Sequence, residues 1–216
     1  MTPSRSIAAA DFAGFPVSYC NPRSLQSFLK IRNIDVLMGF LENGKTRQLI
    51  NEWVTSRLQK LPRLPEQDEQ MFLLIASLSK AEVELLARRI TVLFHAKFVL
   101  RITDPEKMRD LLKWTGLDEV SHLLAGKSLS AFVHVPLCPY AEVKLLKPLA
   151  KIYQRYILGL LPIAYLQRMA LTMPPRIVKS ARSLHDEPAV EILKEAVELA
   201  IRQPNASDSS KPEVGT

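Results

Sequence analysis

The residues best suited to chemistry in this sequence are four histidines and two cysteines, which could act as bases, nucleophiles or metal ligands. His95 lies in a long amphipathic segment. A metal or catalytic role there would need a polar partner three or four residues further on, but those positions hold Phe98 and Val99. We therefore expect His95 to be a packed, hydrogen-bonded histidine rather than a ligand or a base.

One cysteine and one histidine lie close together in the sequence, at Cys138 and His134. Nucleophilic catalysis can use such a pair, but no third group that would orient the histidine is evident. The G-x-S-x-G and phosphate-loop patterns are absent, and Cys20 lies far from Cys138, which excludes a zinc site built on cysteine pairs. The sequence therefore predicts no enzyme, no cofactor and no metal, with a Cys138–His134 hydrolase kept as an alternative.

The composition is that of an ordinary globular protein with a basic balance. The chain has 216 residues, 47% of them apolar, and a net charge of +7. Such a charge favours acidic partners, although no run of five Lys or Arg residues occurs. No apolar stretch approaches the length of a membrane span, and no signal peptide is recognisable, so the expected location is the cytoplasm.

The hydrophobic pattern is helical along nearly the whole chain. It predicts a mostly α, irregular multi-helix single domain over residues 16–202. We expect residues 1–15 to form a flexible arm and residues 203–216 a disordered tail, because both are rich in small or polar residues and have no apolar period. Ser128–Val135 is the one run whose partial alternation could form a short strand.

Local signals place several helix ends. Asn21-Pro22 and Asp104-Pro105 are typical of helix starts, and Gly116 is typical of a helix end. A helix from Thr46 to about Lys60 is also predicted, and its expected apolar stripe consists of Leu49, Ile50, Trp53, Val54 and Leu58. The stripe of the central helix, which begins near Ser79, consists of Val83, Leu86, Ile90, Phe94 and Phe98.

The segment Met108–Leu129 has the outline of a helix-turn-helix, which makes a DNA-binding regulator an alternative function. Its second helix, predicted for Leu117–Ala125, would have to present basic or amide side chains to bases and phosphates. It carries Asp118 and Glu119 at its start, and phosphate would repel both.

Basic residues on predicted helices are the candidates for docking on an acidic protein surface. Arg88, Arg89, Lys97 and Arg101 are expected on the polar side of the central helix. Arg155 and Arg168 lie near Tyr153, Tyr156 and Tyr165, and Tyr with Arg is a preferred combination in protein interfaces. The predicted partner-binding residues are Arg88, Arg89, Lys97, Arg101, Arg155 and Arg168.

Three groups of motifs occur in order along residues 15–175. They are Phe15-Pro16-Val17-Ser18-Tyr19; then Phe94-His95-Ala96, Leu100-Arg101-Ile102 and Thr115-Gly116; and last the run from Gln167 to Pro174. Together they resemble the SctK family of type III secretion sorting-platform accessory proteins, in particular its rhizobial, nodulation-associated members. Two positions depart from the family pattern: Phe94 replaces a Leu, and Ile90-Thr91 stands where members often have Leu-Gly.

The resemblance implies a non-enzymatic cytoplasmic adaptor. Such a protein connects the cytoplasmic domain of the inner-membrane ring protein to the pods of the sorting platform, which are built from a C-ring-like protein. It would therefore lie at the inner face of the membrane through protein partners, without inserting into the bilayer and without binding nucleic acid.

Overall fold

The structure is a computed structural model that describes residues 9–119, 142–182 and 187–202. These residues contain twelve α-helices and no strand, and 75% of them are helical, so the prediction of a mostly α fold is confirmed. The tail 203–216 and the possible strand Ser128–Val135 lie outside the described residues. So do Cys138, His134 and all but the first three residues of the predicted helix Leu117–Ala125.

The described residues form twelve α-helices and one 3-10 turn. In chain order they are α1 Ala9–Gly14, a 3-10 turn Pro16–Ser18, α2 Pro22–Leu29, α3 Ile34–Glu42, α4 Gly44–Arg57, α5 Glu66–Ser77, α6 Lys80–Phe94, α7 Ala96–Val99, α8 Pro105–Thr115, α9 Val143–Gly159, α10 Ile163–Met169, α11 Pro175–Val178 and α12 Glu187–Arg202.

The chain divides into two compact units, where the sequence predicts one domain over residues 16–202. The amino-terminal unit consists of Thr2–Lys80 and Leu161–Ala181, and so holds α1 to α5, α10 and α11. The central unit consists mainly of Ala81–Leu160 and Arg182–Thr216, and holds nearly all of α6 together with α7, α8, α9 and α12.

Side-chain caps fix several helix starts at the predicted positions. Asn21 accepts a hydrogen bond from the backbone N–H of Arg23 at 2.9 Å, and Asp104 accepts one from Glu106 at 2.9 Å. The cap predicted at Thr46 is wrong by three residues. Asn43 caps α4 instead, because its side chain accepts from the N–H groups of Lys45 at 3.1 Å and Thr46 at 3.2 Å.

The end of α8 depends on a glycine, as predicted. Gly116 has φ +61°, a left-handed conformation that residues with a Cβ rarely adopt. Its N–H bonds to the carbonyl of Leu112, and the following Leu117 N–H bonds to the same carbonyl at 3.2 Å. The chain therefore turns sharply here. The last carbonyls of α8 have no donor within the helix and need hydrogen-bond donors from elsewhere in the chain.

The predicted flexible arm is wrong for residues 9–14, which form α1. Phe12 is buried, and its ring lies 5.5 Å from the ring of Tyr165 and 5.8 Å from that of Tyr19. Asn51 of α4 donates to the carbonyl of Gly14 at 2.8 Å. Small residues suggested mobility, but one aromatic side chain with a core position holds this segment.

The amino-terminal unit has its core between α2, α3, α4 and residues near α10. It consists of Val17, Leu25, Leu37, Val54, Leu58 and Leu171. Helix α3 is not predicted from the sequence, because only Leu37 is fully buried and most of its other apolar residues are exposed. The apolar positions predicted for α4 are buried at Val54 and Leu58. The prediction is wrong for Leu49 and Trp53, which are 65% and 40% exposed.

The central unit is built on the predicted stripe of α6. Val83, Leu86, Ile90 and Phe94 are buried, while Phe98 is half-buried on α7. Buried residues of the other helices in this unit include Leu111, Leu146, Tyr153, Ile157, Leu193 and Val197. The Phe94 and Tyr153 rings stack at 5.1 Å, which adds a specific aromatic contact to the apolar core.

Replacing Ile90 with Asp should unfold the central unit. Ile90 has no exposed surface, so the new carboxylate would be buried without a partner, at a cost of about 4 kcal/mol or more. Leu100→Asp is the matched control, because Leu100 is 70% exposed and should change stability by less than about 0.5 kcal/mol. Chemical denaturation followed by circular dichroism measures both, and equal stabilities would contradict this description of the core.

Candidate protein-docking surface

Two adjacent arginines of α6 meet the carboxyl end of α8 within the central unit. Arg88 Nη1 donates to the carbonyl of Trp114 at 3.2 Å. Arg89 donates from Nε to Thr115 at 3.1 Å and from Nη2 to Gly116 at 3.0 Å. A helix end leaves its last carbonyls without intrahelical donors and carries partial negative charge. The two guanidinium groups supply donors to these carbonyls and place positive charge beside them.

Arg89 also reaches the last helix of the unit. Its Nη1 donates to the carbonyl of Ala200 on α12 at 3.3 Å, and the residue has no exposed surface. Burial lowers the pKa of its guanidinium from the ordinary value, although an arginine still stays charged at neutral pH. The prediction that Arg89 lies on the polar side of the helix is therefore wrong, because its side chain is buried and its three nitrogens donate to α8, to Gly116 and to α12.

Arg168 plays a similar part in the amino-terminal unit. It is 3% exposed and donates to main-chain carbonyls of Phe12, Gln59 and Ala164 at 3.1, 2.9 and 3.0 Å, with a longer contact to Ala13 at 3.5 Å. Burial lowers its pKa, while nearby Tyr19 opposes that shift. Arg168, one of the predicted partner-binding residues, is therefore buried in the amino-terminal unit, where it joins α1, α10 and the segment just after α4.

Two of the predicted docking residues form an exposed cationic cluster in the central unit. Lys97 and Arg101 are exposed at a spacing of four residues, and Leu100 between them is 70% exposed. Arg88 is half-exposed and forms a long ion pair with Glu84 at 3.9 Å in addition to its bond to Trp114. Arg155 is half-buried, so Lys97 and Arg101 remain the clearest surface candidates of the original six.

His95 is packed and hydrogen-bonded, as expected. It is buried at the junction of α6 and α7, where its Nδ1 lies 2.9 Å from the carbonyl oxygen of Thr91. Its ring stands edge-on to Tyr153 at 6.3 Å. His95 therefore ends α6 and fills the core of the central unit.

The described cysteine has the environment of an inert thiol. Cys20 is half-buried, and its Sγ donates to the carbonyl of Val17 at 3.5 Å. Burial raises the pKa of the thiol to about 11. A thiol with so high a pKa is almost wholly protonated at neutral pH and is a poor nucleophile.

Two open clefts lie beside α4, with volumes of about 430 and 610 Å³. Among the described residues, no histidine or cysteine lines either cleft. The hydroxyls of Ser18 and Ser56, one in each cleft, donate to the carbonyls of Phe15 and Trp53 at 2.7 Å rather than to a base.

In the described part of the chain, no three His, Cys, Asp or Glu side chains gather in a way that could hold a metal ion. None of the helices in residues 9–119, 142–182 and 187–202 is long and apolar enough to cross a membrane.

A second exposed surface, which the sequence reading missed, lies on α4. Lys45, Leu49, Trp53 and Arg57 follow one another at intervals of four residues, and all four are exposed. We name this row the α4 stripe. The sequence carries the signal as two cations that flank an apolar pair, but the helical period alone places Leu49 and Trp53 on one stripe with Val54.

Comparison with known proteins identifies no relative: no family model, no curated protein and no solved structure matches this sequence. The resemblance to the SctK family therefore rests on the sequence motifs alone. The recognition helix of the DNA-binding alternative and the Cys138–His134 pair fall outside the described residues, so both alternatives stay predictions.

Replacing Arg89 with Met should destabilise the central unit, whereas the same change at Arg88 should have a small effect. Met fills much of the same volume but leaves the carbonyls of Thr115, Gly116 and Ala200 without these donors, which should cost about 3 kcal/mol. Arg88→Met removes one bond at a half-exposed site and should cost about 1 kcal/mol or less. Urea denaturation of the two variants checks this, and equal losses would contradict the distinction.

Alkylation should be slow at Cys20 in the folded protein. A pKa of about 11 instead of the ordinary 9.0 lowers the thiolate fraction about a hundredfold near neutral pH. In a Cys138→Ser variant, the iodoacetamide rate should therefore rise by about that factor when urea unfolds the protein. Equal rates in the folded and unfolded states would show that Cys20 is not shielded.

Proposed function

We propose that this protein is a non-enzymatic adaptor that binds other proteins of a bacterial type III secretion apparatus. In this role it connects the cytoplasmic domain of the inner-membrane ring protein to the C-ring-like protein of the sorting-platform pods. It would act at the inner face of the membrane through these partners. The motifs shared with the SctK family supply the assignment to this apparatus.

The observation that carries the proposal is that the residues of the SctK-like motifs fall into a buried group and an exposed group. Phe94, His95 and Thr115 are buried. The carbonyls of Thr115 and Gly116 accept hydrogen bonds from Arg89. Leu100 and Arg101, in contrast, are exposed, which is the arrangement of a stable scaffold that presents a small cationic and apolar surface.

The charge of this surface favours an acidic partner. The chain carries a net charge of +7, and Lys97 and Arg101 are exposed on either side of Leu100. Charged groups of this kind guide association and select complementary partners, while an exposed leucine contributes apolar area at the contact. An acidic face on the ring protein or on the pod protein fits this surface.

The experiment is co-expression with each proposed partner from the same gene cluster, followed by co-purification at moderate salt. The wild type should form a complex with the pod protein, with the ring domain, or with both. Lys97→Glu together with Arg101→Glu should weaken that complex about tenfold or more, because like charges then face each other.

The matched control is Arg109→Glu with Lys113→Glu, the same charge change at two exposed positions of α8. This variant should bind within about twofold of the wild type, because the changed residues lie on a different helix from Lys97 and long-range effects are screened by salt. A wild-type protein that is folded but binds neither partner would overturn the proposal. Salt-dependent retention on DNA would then be measured for the helix-turn-helix alternative.

A further inference from the structure

Helix α4 has one buried face and one exposed face within the amino-terminal unit. Val54 and Leu58 belong to the core, and Asn51 holds the α1 segment through its bonds to Gly14 and Val17. The α4 stripe of Lys45, Leu49, Trp53 and Arg57 remains on the outside. Contiguous exposed apolar residues, unlike single scattered ones, often mark a binding surface.

The helix before α4 adds exposed apolar residues to the same unit. Val36, Met38 and Phe40 of α3 are all at least 40% exposed, and α3 packs against α4. Gly39 has nothing near the place of a Cβ, so the surface of α3 is open at that point. Exposed aromatic residues and methionine together are typical of protein interfaces.

Basic residues far outnumber acidic residues in the segment that forms this surface. Residues 21–64 contain eight Lys and Arg but only three Asp and Glu. All eight cations are exposed, and among the described residues none of them forms an ion pair with a carboxylate. They are Arg23, Lys30, Arg32, Lys45, Arg47, Arg57, Lys60 and Arg63. This segment therefore offers cations that an acidic partner can pair with at little cost to existing contacts.

Trp53 at the centre of the stripe is held in place by two neighbours. The ring of Phe28 on α2 stands edge-on to it at 6.1 Å, and the guanidinium of Arg57 lies 4.6 Å from its ring centre. A large side chain that is already fixed loses little conformational freedom on binding. Trp and Arg are also the residues that most often dominate the binding energy of protein interfaces.

We propose that the α4 stripe binds one amphipathic helix of a protein partner, whose apolar face covers Leu49 and Trp53 and whose carboxylates pair with Lys45 and Arg57. Twelve residues of helix separate the two cations, so the partner carboxylates should lie about 18 Å apart. This inference rests on the proposed function in one respect, namely that the protein acts by binding other proteins. It gives an adaptor a docking surface in the amino-terminal unit besides Lys97, Leu100 and Arg101 of the central unit.

A protein helix fits these observations better than an anionic membrane does. Asp35, Glu42 and Glu52 are exposed on α3 and α4, and the negative surface of a bilayer would repel them. The fixed ring of Trp53 also suits the ordered apolar face of a partner helix, whereas an interfacial membrane helix needs a continuous apolar face of its own to enter the lipid.

The direct test uses two synthetic helical peptides of about 19 residues with the same Leu- and Phe-rich face. One carries Glu at both ends of that face, and the other carries Lys at the same positions. By fluorescence anisotropy, the folded full-length protein should bind the Glu peptide at least about tenfold more tightly than the Lys peptide. Lys45→Glu with Arg57→Glu should reverse this preference, and Leu49→Glu should weaken binding of the Glu peptide by about tenfold.

Two matched controls separate the stripe from general surface effects. Lys147→Glu with Lys151→Glu makes the same charge change at two exposed positions of α9, outside residues 21–64. Ile163→Glu places the same new carboxylate at an apolar residue of similar exposure, 58% against 65% for Leu49. Both controls should keep the peptide preference within about twofold of the wild type. Circular dichroism of every variant verifies that it is folded.

Equal binding of the two peptides, or a preference that survives Lys45→Glu with Arg57→Glu, would overturn the inference. Tighter binding to phosphatidylserine-containing vesicles than to the Glu peptide, with loss on Leu49→Glu, would overturn it in favour of a membrane surface. Co-purification with the secretion partners is scored separately. If the wild type binds neither secretion partner but the peptide results hold, the proposed function fails and the docking surface stands. If the wild type binds a secretion partner but the peptide results fail, the proposed function stands and the docking surface fails.

Discussion

The structure depends on burying two guanidinium charges whose hydrogen bonds are supplied by backbone carbonyls. A buried charge is costly unless nearly all of its donors are bonded, so each arginine fixes the chain segments that provide its acceptors. In the central unit Arg89 holds the end of α8 and the end of α12 against α6. In the amino-terminal unit Arg168 holds α1, α10 and the segment just after α4. Each side chain links segments more than a hundred residues apart in sequence.

This constraint divides the basic residues into two classes with different uses. Buried arginines that satisfy the carbonyls at helix ends are structural, and replacing them affects stability. Exposed cations next to exposed apolar residues remain available to partners, as at Lys97 and Arg101 and along the α4 stripe. A net charge of +7 is therefore an incomplete description of the surface, because part of it is enclosed in the scaffold. The adaptor we propose uses only the exposed part.

Features set by a few neighbouring residues could be predicted from the sequence. The caps at Asn21 and Asp104 and the left-handed turn at Gly116 were found because their geometry depends on local side-chain and backbone chemistry. Which of two adjacent arginines is buried could not be found, because it depends on where α8 and α12 end in space. The outward position of Trp53 was missed for the same reason: a helical period gives the spacing of apolar residues but not the side on which neighbouring helices pack.

Residue-resolved modification of arginines in the folded protein tests this division most directly. Phenylglyoxal reacts with accessible guanidinium groups, and mass spectrometry can report the extent of reaction at each site. The account predicts rapid modification of Arg57 and Arg101, and protection of Arg89 and Arg168 until the protein is unfolded. Modification of Arg89 or Arg168 at the rate of Arg101 in folded protein would contradict it, because a guanidinium that reacts so freely cannot be holding the helix ends together.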